Sequence, residues 1–336
     1  MERYKARLVA KGYKQRQGID YEESLCTFCP HGDNLFVDLF GGANEVEDPS
    51  TRRQASILEY KVLRLKKALY GLKQAPRAWN SCIDKYFQDN GFTRCLHEYA
   101  LYLKVYTNRD ILLVCLYVNN FIFTGNNPSL FEAFKKDMSR EFEMMDVRLM
   151  SYYLGLEVKQ MEDVIFISQE SYIKEILKKF NMLDCNPVNT PMESGTKLSK
   201  FDEGEKVDPT FFKSLVGSLR YLICNRPDIF FAVGVISHFM EAPNSTHLKV
   251  SRKILRYLKG TINFGLFYSS SSDFNPVRFC DSDYAGDIDD RKGTTVFVFF
   301  LDNSVISWSS KKQSIVTLST CEVEYVATTS YTCHAI

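Results

Sequence analysis

The chain has 336 residues, of which 45% are hydrophobic and 25% charged, an ordinary globular composition that excludes wholesale disorder and leaves room for two or more domains. Its formal net charge of +1 excludes a strongly basic or acidic protein, so any surface for nucleic acid has to be local. Ten cysteines follow no disulfide framework, and the chain opens Met1-Glu2-Arg3-Tyr4-Lys5 without an apolar leader run. They are therefore expected to be reduced thiols of an intracellular protein, cytoplasmic or nuclear. Apolar runs such as Ile111 to Val118 are far too short to cross a bilayer, so no membrane partner is expected.

In chain order, Glu2 to Glu23 mixes Lys5, Arg7, Lys11, Lys14 and Arg16 with apolar residues. Cys26, Cys29 and His31 have metal-like spacing, but a structural zinc needs four ligands and no second pair follows, so they read as ordinary side chains. After Pro76, the positions Trp79, Ile83, Tyr86 and Phe87 recur at helical spacing and predict a helix with one buried stripe. Leu101 to Tyr106 and Ile111 to Val118 read as strands joined by a turn at Thr107 to Asp110. A return strand, Phe121 to Thr124, makes a buried hairpin, and the polar pair Asn119-Asn120 is read as its turn because Asn tolerates left-handed backbone.

A helix from Pro128 to Phe142 follows, then a strand pair, Tyr153 to Val158 and Val164 to Ser168. Ser171 to Asn181 reads as a helix capped by its serine, with Ile173, Ile176, Leu177 and Phe180 inward and Lys174, Lys178 and Lys179 outward. Asn186 to Glu205 is poor in apolar residues and reads as a linker. A later helix, His247 to Leu258, puts Lys249, Arg252, Lys253 and Arg256 on one face, which could track a phosphate backbone or be a solvated side. Alternating helices and antiparallel strands give the class α+β.

Three stretches carry a family resemblance: RYKARLVAKG near the start, LYGLKQAPRAW from Leu69 to Trp79, and Tyr117-Val118-Asn119-Asn120 in the hairpin. Together they resemble the reverse transcriptase of copia-type LTR retrotransposons, in which LYGLKQAPRAW precedes a Tyr-Val-Asp-Asp hairpin. Arg226-Pro227-Asp228-Ile229 and the segment from Phe211 resemble that family's connection segment, and Val277 onward resembles its ribonuclease H module, which implies strands at Val277 to Cys280, Thr295 to Leu301 and Val305 to Trp308 and a helix from about Cys321. The likeness fails only between Leu25 and Tyr60. It implies a right-hand-like palm and fingers over residues 1–195, a connection segment over 196–272 and a truncated ribonuclease H-like α/β domain over 273–336.

The resemblance also implies roles for residues. Gln74, Arg77 and Tyr117 would contact template and nucleotide, and in that company the basic face of Lys249, Arg252, Lys253 and Arg256 is read as a candidate nucleic-acid surface, with a solvated helix face as the alternative. Asp281 and Glu324 match two ribonuclease H carboxylates. Partners would be an RNA template, a DNA primer and deoxynucleoside triphosphates, with Mg²⁺ and no small-molecule cofactor. At the hairpin, however, Asn119 and Asn120 stand where the family has its aspartate pair, and only Asp38 is a candidate for the third carboxylate. Mg²⁺ binds through charged oxygens, so the chain is expected to be inactive as a polymerase. The alternative is a non-enzymatic nucleic-acid-binding relic of a retroelement polyprotein. Residues 273–336 are expected to be the least stable part, exposing Phe297, Phe299, Val305 or their neighbours.

Overall fold

The computed structural model describes residues 11–16, 71–142, 144, 146, 149–269 and 275–335. Asp38, the Cys26, Cys29 and His31 group and most of the basic N-terminal segment lie outside the described residues. The chain divides into two compact units, Met1–Arg148 and Leu149–Ile336. Among the described residues, helices are mixed with three sheets, all antiparallel.

In the first unit α1 spans Ala75–Asp89 and starts with proline in its first turn, where the missing N–H has no helical partner to lose. It is followed by β1 (Thr93–Arg94), β2 (Leu101–Val105), β3 (Ile111–Tyr117) and β4 (Asn120–Gly125), paired in sequential order. Helix α2, Pro128–Phe142, closes the unit. The predicted stripe of α1 is real: Ile83 and Phe87 are fully buried, and they pack with Phe92, Tyr102, Leu112, Val114, Leu116, Phe134 and Met138. Alternation along β3 puts Leu112, Val114 and Leu116 on this inner face. Tyr102 ends in a 2.8 Å hydrogen bond to Asp84, and burial together with that carboxylate acceptor pushes its phenol up. At the far end of the hairpin the backbones meet at Gly125, where a side chain would run into the Ile111 carbonyl.

The second unit opens with β5 (Tyr152–Tyr153), β6 (Leu156–Gln160) and β7 (Val164–Ser168). The strand expected from Tyr153 to Val158 is thus two strands. Leu154 and Gly155 both take positive φ, 49° and 80°, and reverse the chain in a two-residue turn. Helix α3 spans Glu170–Lys179 and begins one residue before the expected serine cap. Instead of capping, Ser171 donates its backbone N–H to Glu157 on β6 at 2.7 Å.

Helices α4 (Pro209–Leu222), α5 (Phe230–Ser237) and α6 (Ser245–Gly260) build the main core with α3. The expected linker is packed rather than free. Leu198 is buried, Val188 and Met192 lean on the core, and Ser199 offers its carbonyl to His247 at 3.0 Å. Arg226 is 1% exposed and fully engaged, bonding Asp228 twice and the carbonyl and hydroxyl of Thr261.

Strand β8, Gly265–Ser269, returns to pair with β7, so one sheet joins segments from both sides of the helical core. The third sheet contains β9 (Pro276–Ser282), β10 (Thr294–Leu301) and β11 (Ser304–Lys312), followed by α7 (Thr320–Ala335). The expectation of a stripped sheet face is overturned for two of its residues. Phe297 and Phe299 are only 3% and 7% exposed because α7 lies over them, Tyr331 stacking on Phe299 at 5.3 Å. Exposure falls instead on the edge strand, at Val277 and Phe279. Trp308 donates its indole N–H to the Ile223 carbonyl and Asp289 accepts from Ser199, so this sheet is tied to the helical core.

Candidate functional site

The hairpin tip is held by the chain on both sides of it. Tyr117 and Asn120 are the last cross-strand pair, which makes Val118 and Asn119 the two-residue turn. The expected turn at Asn119-Asn120 is therefore shifted by one residue, and Asn120 is the first residue of β4. Val118 adopts φ 52°, a left-handed conformation that a β-branched side chain resists. Its carbonyl accepts a 2.7 Å hydrogen bond from the Trp79 indole N–H. Trp79 itself stands edge-on to Phe142 with ring centroids 5.3 Å apart, so α1 and α2 together fix where the tip sits.

Gln74 is the residue before α1 and Arg77 lies in its first turn, both exposed. The Gln74 side chain accepts from Gln15 at 3.0 Å, and Gln15 in turn accepts from the Lys73 backbone at 2.8 Å. Through Trp79, the helix that follows Gln74 and carries Arg77 is tied to the tip that carries Tyr117, Asn119 and Asn120. Reading the sequence puts Trp79 on a buried helix stripe and Val118 in the hairpin but gives neither a role in holding the tip. The indole inside the LYGLKQAPRAW stretch was the available signal.

Among the described residues no group of three or more His, Cys, Asp and Glu side chains is arranged to hold a metal ion. At the tip the donors on offer are two carboxamides, whose neutral oxygens are poor ligands for a hard divalent cation. This donor set does not fit the Mg²⁺ that the resemblance implies.

In the second unit, Lys249, Arg252, Lys253 and Arg256 lie along α6 as expected, but they are not equivalent. Lys253 bonds Glu193 at 2.5 Å and Arg256 donates to the Asn186 carbonyl at 2.7 Å. The bond and charge of Lys253 hold the Glu193 carboxyl below its usual range. Lys249 and Arg252 are exposed. Asp281 pairs across the sheet with Val296, while its neighbour Cys280 pairs with Phe297 on the face beneath α7. Strand alternation therefore points Asp281 to the other face. Glu324 is exposed on α7. Burial, then the charges of Glu324 and Asp281, push the Cys280 thiol up, so both carboxylates lie within electrostatic reach of it.

A hairpin whose tip is tied to two helices, in a mixed α/β architecture, is consistent with a reverse-transcriptase-like fold, and comparison with known proteins gives the family. Residues 46–194 match the family of reverse transcriptases (RNA-dependent DNA polymerases). The chain is similar to the retrovirus-related Pol polyprotein from transposon RE1 of Arabidopsis thaliana, 36% identical over 98% of this chain and 24% of that protein. It is also similar to the Pol polyprotein from transposon TNT 1-94 of Nicotiana tabacum, 35% identical over 97% of this chain and 27% of the relative. An uncharacterized mitochondrial protein of Arabidopsis thaliana is 38% identical over 64% of this chain and 90% of its own length. No solved structure matches. The chain belongs to the copia-type LTR-retrotransposon Pol family, as a reverse transcriptase and ribonuclease H-like region, and spans about a quarter of the Pol polyproteins it matches.

Proposed function

We propose that this chain is a copia-type reverse transcriptase region that has kept the palm scaffold and lost nucleotidyl transfer. On this reading it comprises fingers and palm over residues 1–195, a connection segment over 196–272 and a ribonuclease H-like segment over 273–336. One observation carries it: the tip that Trp79 holds in place presents Asn119 and Asn120 as carboxamides. Two-metal displacement needs carboxylates to fix both ions against the reacting phosphate, and amides do not supply that charge. Gln74, Arg77 and Tyr117 are the residues that would face an RNA template, a DNA primer or a nucleotide. Asp281 and Glu324 are the corresponding carboxylates in the ribonuclease H-like segment.

The test is primer extension on an RNA template with deoxynucleoside triphosphates and either Mg²⁺ or Mn²⁺. No incorporation is expected from this chain, and none from Asn119→Asp combined with Asn120→Asp. Two restored carboxylates repel each other and still need a third ligand between the ions. Incorporation by the unmodified chain would show that the amides suffice and would sink the proposal. Incorporation by the double variant alone would mean that the rest of the site is intact. What remains after loss of chemistry is nucleic-acid binding by basic surfaces, recognisable as affinity that falls steeply with salt and needs no divalent ion.

A further inference from the structure

The end of α3, the start of α4 and the outer side of α6 surround a cavity of about 480 Å³ lined by Lys179, Phe180, Asn181, Met182, Phe211 and Arg252. Its lining combines two cations, one amide, a thioether and two phenyl rings, and contains no carboxylate. Lys179 reaches Ser214 at 2.9 Å and lies 5.2 Å from the centre of the Phe180 ring. Among the described residues neither Lys179 nor Arg252 has an acidic side chain within ion-pair distance, whereas Glu193 occupies Lys253. Phe180 and Phe211 meet edge to face at 5.6 Å, a geometry that leaves ring surface open, and Phe211 is 39% exposed. The backbone of Phe211 is fixed by the Asp208 cap at the first turn of α4.

Open aromatic surface beside unneutralised cations is the chemistry that holds an unpaired nucleotide, its base on the ring and its phosphate on the charges. We propose that this cavity takes one unpaired nucleotide of a single-stranded nucleic acid, the base against Phe211 and the phosphate at Lys179 and Arg252. Asn181 offers an amide that can both donate to and accept from a base edge. A duplex cannot use the cavity, because its bases are already stacked on one another and only its backbone is presented. The proposal rests on the reading of α6 as facing nucleic acid, and makes that reading specific for single strands.

The test is fluorescence anisotropy of the full chain with a labelled oligothymidylate of about 12 nucleotides, within the range one binding fold covers, and with a fully paired blunt-ended duplex, over a series of salt concentrations. Phe211→Leu should weaken single-strand binding by about 5- to 100-fold while leaving the salt slope unchanged, since stacking carries no counterion term. Arg252→Gln and Lys179→Gln should each flatten that slope by about 0.7. Duplex binding should stay unchanged in Phe211→Leu, and Trp308 emission checks that the variant remains folded. Equal weakening for duplex and single strand, or competition by polyglutamate as effective as by oligonucleotide, overturns the proposal. Salt-dependent binding that Lys249→Gln weakens and Phe211→Leu does not would remove the cavity and keep α6 as a phosphate-tracking face. Failure of the unmodified chain to bind either probe at low salt would remove both.

Discussion

Replacing Val118 with asparagine should stabilise the first unit, although the side chain becomes more polar. Val118 sits at φ 52°, and left-handed backbone costs a non-glycine residue roughly 1–2 kcal/mol, with β-branching at the unfavourable end. Asparagine visits that region with local hydrogen bonding and so removes much of the cost. Against this, Val118 is 48% exposed, so the substitution forfeits about half of a valine's burial, on the order of 0.5–1 kcal/mol. The balance is a gain of about 0.5–1 kcal/mol. The assay is urea unfolding followed by tryptophan emission. The chain has two tryptophans, Trp79 in the first unit and Trp308 in the second, so a Trp308→Phe background reports the first unit alone. In the same background Asn120→Gly should cost about 0.5–1 kcal/mol, since it places glycine in a strand. If Asn120→Gly stabilises while Val118→Asn destabilises, the turn lies at Asn119-Asn120 and the register described above is wrong.

Truncating the first core should be severe and local. Phe87 is fully buried against Phe92, Tyr102, Phe121 and Phe134, so Phe87→Ala should cost about 3–5 kcal/mol. The Trp79 transition should shift and the Trp308 transition stay in place, and a joint shift would refute independent cores. The last sheet should be sensitive at both extremes of pH through Asp287 and Lys312, which bond directly. Burial alone would raise the Asp287 carboxyl, but the Lys312 bond and backbone donors outweigh it and bring it below 3.8. Its stabilisation is present above that value and disappears as pH falls through the lower folded one. For Lys312, burial lowers the ammonium and the Asp287 and Asp290 bonds overcome this to raise it above 10.5, so its stabilisation is complete below 10.5 and is lost as pH rises through the folded value. Asp287→Asn should cost about 1.5–3 kcal/mol at neutral pH and remove the acid limb of this dependence. A variant with an unchanged pH–stability profile would show that the pair contributes nothing.

Much of this protein is legible in its sequence, because the signals are local. The stripe of Ile83 and Phe87 and the apolar strand β3 are set by periodicity over a few residues and are found where it places them, while the three final strands fall where the family resemblance puts them. The family is legible too, since LYGLKQAPRAW and the Tyr-Val hairpin are contiguous motifs. What the sequence does not contain is anything fixed between distant segments. The hairpin turns at Val118-Asn119 rather than at the more turn-prone Asn119-Asn120 because Tyr117 pairs with Asn120 and Trp79 takes the Val118 carbonyl. Cross-strand register and a partner on another helix outweighed local turn preference. The same holds for the start of α3, whose N–H is satisfied by Glu157 instead of a serine cap. It holds for Phe297 and Phe299, which only the placement of α7 buries. The cavity beside Phe211 is the fullest case: its cations and rings come from α3, α4 and α6, and only packing of those helices makes them neighbours.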